Sequence, residues 1–495
     1  MSVMFYEKGT GCYYDADALK QDLNLQTIMR GMARKDYEDE ECIWEELLTP
    51  LTSVEEAVKR QKVVADACEQ EKIVMELREI ICPATVTFVH QMEAIQDSRG
   101  KNFLSETMVG TYLDALRTLV GMLVAIHHLI EKNETLFEES GFRFFRDSFY
   151  EEVSPEKILE QQELVEHLDA FKRKGEITLS GVVSEGLFVK DVHLISVAEK
   201  AKKGGRRLFA SKEQLLLDDT MYESAVEFTN RFLLDLLEDS LPYLKCWEEN
   251  LHRLRSQIAF LAGCVKLHAF QKTIGIAFCF PDEQEERADG LYDLSLALQT
   301  QTVPVSNSLA RQKYHGIIVT GANQGGKSTF LRSMGIAQVM CQAGMFVPAA
   351  FFPLHVYDNI YTHFTRREDA SMNMGKFEEE LKRMQGIIRH ARENTVILLN
   401  ESFATTTEVT AYQIAMDLIH ACLEEGISIW MVTHITSFAK QMYEEGREDV
   451  LFLSAGREAN HEERYSMVEK APENTSYGLD LYDEIIFGDK KSEKV

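Results

Sequence analysis

The segment that decides the fold reads Gly316-Ile-Ile-Val-Thr-Gly-Ala-Asn-Gln-Gly-Gly-Lys-Ser-Thr-Phe330. It predicts a buried strand, a glycine-rich turn and the start of a helix, and it contains the complete phosphate-binding pattern G-x-x-x-x-G-K-S. Glycine lets the backbone turn tightly enough for its N–H groups to face one anionic centre, and the helix that follows adds unsatisfied donors and a positive dipole end. The predicted phosphate-binding residues are Gly321, Ala322, Asn323, Gln324, Gly325, Gly326, Lys327, Ser328 and Thr329.

Two side chains of this loop have predicted roles toward a nucleoside triphosphate. Lys327 should reach the β- and γ-phosphates as a point charge, and the Ser328 hydroxyl should ligate the Mg²⁺ that bridges them. A glycine turn without a ligand is the alternative, but the apolar strand before the loop and the helix start after it both match the context that the motif requires. ATP and Mg²⁺ are therefore the predicted cofactors.

Two later strands carry further candidate site residues at their carboxyl ends. Thr395-Val-Ile-Leu-Leu-Asn400-Glu401 is an apolar strand of the kind that ends in an acid for the Mg²⁺ shell, followed by a base for the attacking water. Glu401 fits the base. Asn400 is a metal-site candidate without negative charge, so we expect weaker Mg²⁺ binding or slower turnover. His434 ends the next strand, where it is placed to contact the γ-phosphate or the water; a structural histidine is the alternative.

The composition of the chain is that of an ordinary soluble protein, with 495 residues of which 45% are hydrophobic and 27% charged. Its nine cysteines lack C-x-x-C spacing, which favours neither disulfides nor a zinc site and fits a reducing, cytoplasmic compartment. The longest apolar runs, such as 119–126, fall short of the roughly 20 residues that a membrane span needs. The N-terminus lacks the pattern of a secretion signal, and we expect no membrane association.

The formal net charge of −27 argues against a protein that coats itself in nucleic acid by general electrostatics. A local basic site is still compatible with this charge. The densest candidate is the basic loop Lys200-Ala-Lys-Lys-Gly-Gly-Arg-Arg207. A charge run that only faces water explains the same residues equally well.

The first part of the chain predicts helices. Residues 1–50 are mixed and polar and look like a short leading segment. After them, Ser53-Val-Glu-Glu56 is a capping box that opens a helix, and Pro83 is expected to end it. We therefore place the start of a helical domain at residue 51.

Two long helices are predicted next, one from Ser105 and one opened by Ser240. Their apolar residues alternate four and three positions apart, which favours either an antiparallel lever made of both helices or the core of an ordinary helical domain. Between them, 172–217 is richer in glycine and β-branched residues and predicts a small irregular or β insertion. The helical domain is thus expected to cover 51–275.

Beyond residue 275, short strand-like pieces at 291–294 and 302–305 lead to the phosphate-binding loop. Strands then alternate with helices, which predicts an α/β domain with a mostly parallel, buried sheet over 276–488. The last residues, 489–495, look like a disordered tail.

Together, the loop 321–329, Asn400-Glu401 and Thr433-His434 resemble the ATPase domain of the MutS mismatch-repair family, whose motifs read G-P-N-M-G-G-K-S-T, D-E and T-H. Gly344-Met-Phe-Val-Pro-Ala349 and Ser476-Tyr-Gly-Leu479 are similar to two further family motifs, G-x-x-V-P-A and S-Y-G-L. The resemblance implies an ABC-like α/β P-loop ATPase domain with a mostly parallel sheet, C-terminal to a mainly α-helical core and lever domain.

What the resemblance further implies is a homodimer that closes on duplex or branched DNA under control of ATP, in DNA repair or recombination. In the family, a loop from the opposite subunit with a serine in S-T-F completes each ATP site. Phe377 and Glu380 match that stretch here, but Gly375 occupies the serine position. Ser371 or Asn373 would have to substitute, so we expect an ATPase weakened at this position.

Parts of the family pattern are missing. Ahead of the lever-like region we expect no room for the mismatch-reading and connector domains of MutS proteins that recognise mismatches. Phe5-Tyr-Glu7 matches the F-x-E motif with which the family wedges a phenylalanine beside a mismatched base, but we interpret it as coincidence because we do not expect the domain that presents the wedge.

A second hypothesis belongs to a different class of protein. It is a nucleotide-gated protein-interaction module that does not contact nucleic acid and hydrolyses ATP slowly or not at all. The acidity of the chain, Asn400 and Gly375 favour this module. The basic loop and the paired long helices favour the DNA-binding ATPase.

Overall fold

In the computed structural model, the described residues are 3–33, 39–98, 105–183, 189–199, 230–231, 233–235, 237–309, 314–322, 324–365, 375–456 and 465–472. The chain divides into two compact units. The helical unit consists of Met1–Phe5 and Lys72–Ile258, and the sheet unit consists of Tyr6–Glu71 and Ala259–Val495.

The elements are numbered in chain order within the described ranges. The helices are α1 (Ala16–Asp22), α2 (Leu25–Met32), α3 (Asp39–Leu47), α4 (Val54–Glu69), α5 (Glu71–Ser98), α6 (Ser105–Lys132), α7 (Glu134–Glu139), α8 (Arg143–Glu152), α9 (Pro155–Lys174), α10 (Leu241–Ile274), α11 (Leu294–Thr300), α12 (Lys327–Gln342), α13 (Lys376–His390), α14 (Glu408–Glu424) and α15 (Thr436–Glu444). The strands are β1 (Gly175–Val183), β2 (Val189–Glu199), β3 (Ala288–Leu291), β4 (Asn307–Leu309), β5 (Gly316–Thr320), β6 (Asn359–Phe364), β7 (Thr395–Asn400), β8 (Ser428–Val432), β9 (Val450–Ala455) and β10 (Met467–Glu469).

A cluster of phenylalanine rings forms part of the core of the helical unit. Phe5 is fully buried, and its ring stacks on Phe145 with centroids 4.2 Å apart and planes 8° apart. The ring of Phe142 contacts the Phe5 ring edge-on, with centroids 6.0 Å apart. Because Phe5 fills a core, it is not presented to a ligand, which agrees with our interpretation of the F-x-E match as coincidence.

Pro83 does not end a helix, contrary to our expectation. It lies inside α5, and the chain breaks instead at Gln70, the C-cap of α4. A proline inside a helix costs about 3 kcal/mol, because it removes one hydrogen bond and clashes with the preceding turn. Leu77, Ile81 and Phe88 on the same helix are fully buried, and each such burial contributes about 1.5–3 kcal/mol. Packing therefore outweighs the local preference.

Both long helices predicted from the apolar spacing are present, as α6 and α10. Among the described residues α6 packs most extensively against α9, and the pairing of α6 with α10 as a lever stays a prediction. Between Thr107 and Lys132, α6 is long and apolar enough to cross a membrane by length and composition alone. The uninterrupted apolar run 119–126 therefore covers only part of the apolar stretch of this helix. Its most apolar window is 56% buried in the structure, and the core helix of a folded domain has the same composition.

The insertion predicted at 172–217 begins with a two-stranded antiparallel ladder. β1 pairs with β2 from Gly175 opposite Glu199 to Val183 opposite Val189. The β element is therefore confirmed for the part of the insertion that the structure describes. The basic loop 200–207 lies outside the described residues.

The sheet unit is built on six strands in the order β10-β9-β5-β8-β7-β6. β5 pairs in parallel with both β8 and β9, β7 pairs in parallel with β8 and β6, and β10 is antiparallel to β9. Every residue of β5, β8 and β9 is buried, as expected for a sheet covered on both faces. The predicted alternation of strands and helices and the mostly parallel sheet are confirmed. The tail predicted at 489–495 lies outside the described residues.

Residues 6–71 form part of the sheet unit, so the leading segment expected at 1–50 is not a separate piece. α1 packs on β6, and α2 packs on α11. Leu25, Ile28 and Met29 of α2 are fully buried, which shows an amphipathic helix where we saw only mixed composition. The units divide at Ile258, inside α10, and not near 275 where the helical pattern ends.

The strand-like pieces before the phosphate-binding loop are shifted from their predicted positions. β3 and β4 pair antiparallel, and α11 starts at Leu294, inside the first predicted strand. Asp293 is the reason, because its side chain accepts a 3.1 Å hydrogen bond from the backbone N–H of Leu296 and caps the helix. The second predicted strand, at 302–305, has no regular structure.

Candidate functional site

The glycine-rich loop joins the carboxyl end of β5 to the first residue of α12. Gly321 and Gly326 have φ angles of 116° and 80°, in the region that side chains rarely adopt. A Cβ on Gly325 would lie 2.8 Å from Cβ of Ala455 on β9, so close packing also requires glycine there. Gln324 has a φ of 61°, and Asn323 lies outside the described residues. The loop therefore has the tight, glycine-dependent shape that the sequence predicts.

Lys327 opens α12 and is buried at the centre of the loop, with 4% of its surface exposed. Its Nζ donates hydrogen bonds to the carbonyl oxygens of Gly321 at 3.0 Å and Ala322 at 2.8 Å. Burial lowers the pKa of Lys327, while the nearby Glu401 carboxylate acts in the opposite direction. The ammonium group is thus held inside the loop by the loop's own backbone.

Ser328 and Asn400, the two predicted metal-site residues, are brought into direct contact. The Ser328 hydroxyl donates a 2.8 Å hydrogen bond to Oδ1 of Asn400, which joins the first turn of α12 to the end of β7. Both oxygen atoms are neutral. They are suitable ligands for a hard cation only if phosphate oxygens and water supply the rest of its coordination shell and its charge balance. A cation held by this pair would therefore depend on a bound nucleotide.

Glu401 and His434 lie at the ends of neighbouring parallel strands, as predicted. Nε2 of His434 is 2.7 Å from Oε1 of Glu401, and this hydrogen bond is the main cause that lowers the pKa of Glu401. The backbone N–H of Glu401 donates to the carbonyl of Val432 at 2.9 Å, which ties the two strand ends together. Both side chains are more than a third exposed, so they face the open side of the site.

A cavity of about 740 Å³ is lined by Lys327, Ser328, Glu401 and His434, among other residues. The loop from Gln324 through Phe330 forms one wall together with Glu401 and His434, and the opposite wall is formed by Leu291, Tyr292, Asp293, Leu296, Thr300, Thr302, Val303, Pro304, Val305 and Asn307. Its size and mixed polar and apolar lining suit a nucleotide-sized ligand. The predicted loop residues Ser328 and Thr329 both line it.

An ion pair that we did not predict joins the two walls. Nε and Nη2 of Arg332 on α12 each lie 2.6 Å from Oδ2 of Asp293, which is 2% exposed. The other Asp293 oxygen caps α11, so one carboxylate fixes both sides of the cavity. No sequence pattern marks this pair, because the two residues are 39 positions apart.

Tyr465 is a second residue of the site that the sequence analysis did not identify. It lines the cavity, and a Cβ on Gly326 would lie 3.2 Å from a carbon of its ring. The pairing of β10 with β9, with Met467 opposite Ala455, carries this tyrosine back to the loop. The segment 302–308 contains no aromatic residue, and Tyr465 supplies a ring to the cavity from a distant part of the chain.

The stretch matched to the family's opposite-subunit loop is described from Gly375 onward. Gly375 is the N-cap of α13 and makes no side-chain cap bond. Ser371 and Asn373 lie outside the described residues. Glu380 is buried, and its carboxylate contacts the turn that follows Glu401, a role that the sequence did not suggest.

Two protein families match separate stretches of the chain. Residues 317–489 match the family described as MutS domain V, and residues 52–273 match the MutS2 N-terminal domain. The first match contains Lys327, Ser328, Asn400, Glu401 and His434. The chain belongs to the MutS family.

Curated relatives are matched over part of their length. The protein is 26% identical over 222 residues to the DNA mismatch repair protein Msh3 of Homo sapiens, a match that covers 43% of this chain and 20% of that protein. It is 30% identical over 183 residues to the DNA mismatch repair protein MutS of Thermus aquaticus, covering 37% and 22%, respectively. With MutS of Thermotoga petrophila the identity is 32% over 124 residues, covering 25% and 16%. The matches thus span about a fifth of these relatives.

Membership of the MutS family agrees with the geometry of the site. MutS domain V is a P-loop ATPase-type domain, and the sheet unit carries the loop and the two strand ends at which such a domain binds its nucleotide. The helix-rich stretch before it falls within the MutS2 N-terminal match, which refines the general resemblance to a core and lever region.

Proposed function

We propose that this MutS-family protein binds ATP with Mg²⁺ and couples ATP binding and hydrolysis to the closing of a homodimer on DNA, in mismatch repair or recombination. The observation that carries the proposal is the convergence of Lys327, Ser328, Glu401 and His434 on one cavity, with Asn400 hydrogen-bonded to Ser328 beside it. These residues come from three separate segments of the chain. Their roles complement one another only around a phosphate chain.

In this proposal, the glycine-rich loop and Lys327 bind the phosphates, and the oxygens of Ser328 and Asn400 face the metal. ATP with Mg²⁺ supplies the phosphoanhydride and the cation that balances its charge. Because hydrogen bonding to His434 lowers the pKa of Glu401, the carboxylate is ionised at neutral pH. Glu401 thus orients a water molecule and accepts its proton, while His434 fixes the carboxylate.

The DNA part of the proposal is supported by the relatives, whose names describe them as DNA mismatch repair proteins. Since the net charge is −27, contact with DNA has to come from a local basic site. The basic loop 200–207 is the densest candidate.

A nucleotide-gated protein-interaction module is the second candidate function. The specific observation that favours it is the neutral Ser328–Asn400 pair, because this pair holds Mg²⁺ less strongly than a carboxylate would. An acidic surface also repels DNA. Such a module would bind ATP in the same cavity and hydrolyse it slowly or not at all.

The test is a titration of the purified protein against homoduplex, single-mismatch and four-way-junction DNA, with ATP, ADP or no nucleotide, at two salt concentrations. Salt-sensitive binding that depends on the nucleotide is expected for the DNA-binding ATPase. Reversal of four charges in the basic loop, at Lys202, Lys203, Arg206 and Arg207, should weaken it. The matched control reverses the exposed lysines Lys62, Lys72, Lys157 and Lys245. Absence of binding in every nucleotide state at low salt would favour the interaction module.

A further inference from the structure

The turn that follows β7 holds its backbone in an unfavourable conformation. Glu401 has a φ of 55° and Phe403 a φ of 69°, both in the left-handed region where side chains other than glycine are strained. Such conformations persist only when surrounding contacts impose them. The direction of the Glu401 side chain toward His434 depends on this turn, so the groups that hold it matter for the site.

Glu380 of α13 holds the turn through both of its carboxylate oxygens. Oε1 accepts a hydrogen bond from the backbone N–H of Phe403, and Oε2 accepts one from the hydroxyl of Thr405 at 2.6 Å. Glu380 is 8% exposed. A carboxylate is costly to bury unless its oxygens are hydrogen-bonded, and here two successive points of the turn provide the bonds.

Two further side chains contact the same turn, one within β6 and one just after it. The ring of His363, which is fully buried, lies 2.7 Å from the hydroxyl of Ser402 through Nδ1 and 3.3 Å from the carbonyl of Glu380 through Nε2. The Thr365 hydroxyl lies 3.0 Å from the carbonyl oxygen of Glu401. His363 thus links Glu380 to the turn by a second route.

We propose that Glu380 is a positioning residue, whose carboxylate sets the backbone of the turn and so aims Glu401 at His434. The inference rests on the proposed role of Glu401 in ATP hydrolysis. Glu380 is not among the residues that line the nucleotide cavity, so its effect on hydrolysis is expected through the turn that carries Glu401. A residue needed only for folding would stabilise the turn without changing the relation between nucleotide binding and hydrolysis.

The first experiment compares the full chain with Glu380→Ala and Glu380→Gln. Glutamine keeps an oxygen for the N–H of Phe403, and its NH₂ group can donate to Thr405, so it should restore the turn. We expect Glu380→Ala to lower kcat for ATP hydrolysis about tenfold or more, with the Kd of a fluorescent ATP analogue changed less than about threefold. Glu380→Gln should return kcat most of the way to wild type. Glu379→Ala, one residue earlier, is the matched control and should leave both constants unchanged.

Loss of nucleotide affinity in parallel with kcat, or failure of Glu380→Gln to restore kcat, would overturn the proposal. Thr405→Val removes only one of the two bonds, and it replaces Glu380→Ala if that variant does not fold. We expect Thr405→Val to lower kcat as well, but by less than Glu380→Ala does.

A second measurement does not depend on hydrolysis. In the chain with ¹³C-labelled histidine, the resonance of His434 reports its hydrogen bond to Glu401, and Glu401→Gln gives the reference shift. Glu380→Ala should move this resonance toward the reference, and Glu380→Gln should not. An unmoved resonance overturns the positioning role even if the wild-type protein hydrolyses ATP. Failure of the wild type to bind nucleotide, with the resonance moved, overturns only the proposed function.

Discussion

The hydroxyl of Ser328 donates a 2.8 Å hydrogen bond to Oδ1 of Asn400, so the two oxygens that we propose as metal ligands are bonded to each other and neither is charged. An aspartate at position 400 would add a negative charge to this pair. Hydrogen bonds and cation contacts to an ionised oxygen are stronger than those to a neutral one.

The first prediction concerns removal of the metal. We expect Asn400→Asp to make nucleotide binding depend more strongly on Mg²⁺, so that EDTA weakens binding about tenfold more than in the wild type, a difference of about 1.4 kcal/mol. Calorimetric titration of ATP with and without Mg²⁺ measures this. Equal sensitivity of the two proteins to EDTA would contradict the role of Asn400.

The second prediction separates binding from hydrolysis. Glu401→Gln keeps the size of the side chain but removes the charge that orients and deprotonates water, so kcat should fall by about 10²- to 10⁴-fold. The Kd of ATP should change little, because the phosphate loop is untouched. His434→Ala should lower kcat less, since Glu401 remains. A large change in Kd in either variant would assign these side chains to binding instead.

The third prediction concerns Tyr465, whose ring lies beside Gly326 in the cavity. If the ring contacts the nucleotide, Tyr465→Ala should weaken ATP binding by about 1–3 kcal/mol, and Tyr465→Phe should keep the affinity. Fluorescence titration with an ATP analogue distinguishes them. Equal loss in both variants would show that the hydroxyl, and not the ring, is required.

The fourth prediction follows from a buried ion pair in the sheet unit. Glu46 and Arg60 are each 1% exposed, with Nη1 of Arg60 at 3.4 Å from Oε2 of Glu46 and the ring of Tyr6 4.2 Å from the guanidinium. Burial raises the pKa of Glu46, and Arg60 only partly offsets this. The folded state therefore binds more protons than the unfolded state just above the ordinary glutamate pKa.

The sign of the pH effect follows directly. Because the pKa of Glu46 is raised on folding, its contribution to the free energy of unfolding falls as the pH rises from about 4.5 through the raised value. Glu46→Gln removes this dependence. The free energy of unfolding of the variant minus that of the wild type should therefore be larger at pH 8 than at pH 5. Urea unfolding at both values measures it, and an equal difference at the two would refute the prediction.

The phosphate-binding loop could be predicted from sequence because its shape depends on neighbouring residues. Only six positions separate Gly321 from Lys327, and Gly326 lies between them, so all three belong to one strand–turn–helix unit. Glu401 and His434 were also predictable, since each ends an apolar strand and the carboxyl ends of parallel strands meet at one edge.

The remaining parts of the site depend on tertiary contacts that no local pattern contains. Tyr465 reaches the loop through the pairing of β10 with β9, and Glu380, 23 residues before Phe403 in the chain, reaches the turn after Glu401 from α13. Pro83 shows the same limit in the fold, because the packing of the surrounding helix overrides its local preference. The sequence pattern predicts where helices and strands begin and end. Contacts between side chains that are distant in sequence can be identified only in the packed structure.

Lys327 donates to two carbonyl oxygens of its own loop, at 3.0 and 2.8 Å. Under the proposed function, uptake of a nucleotide is therefore an exchange reaction, in which phosphate oxygens replace two intramolecular acceptors. The affinity that is measured reports only the difference between the two sets of bonds. The same backbone acts as an internal competitor when the product leaves, because it recaptures the ammonium group and spares the empty loop an unpaired buried charge.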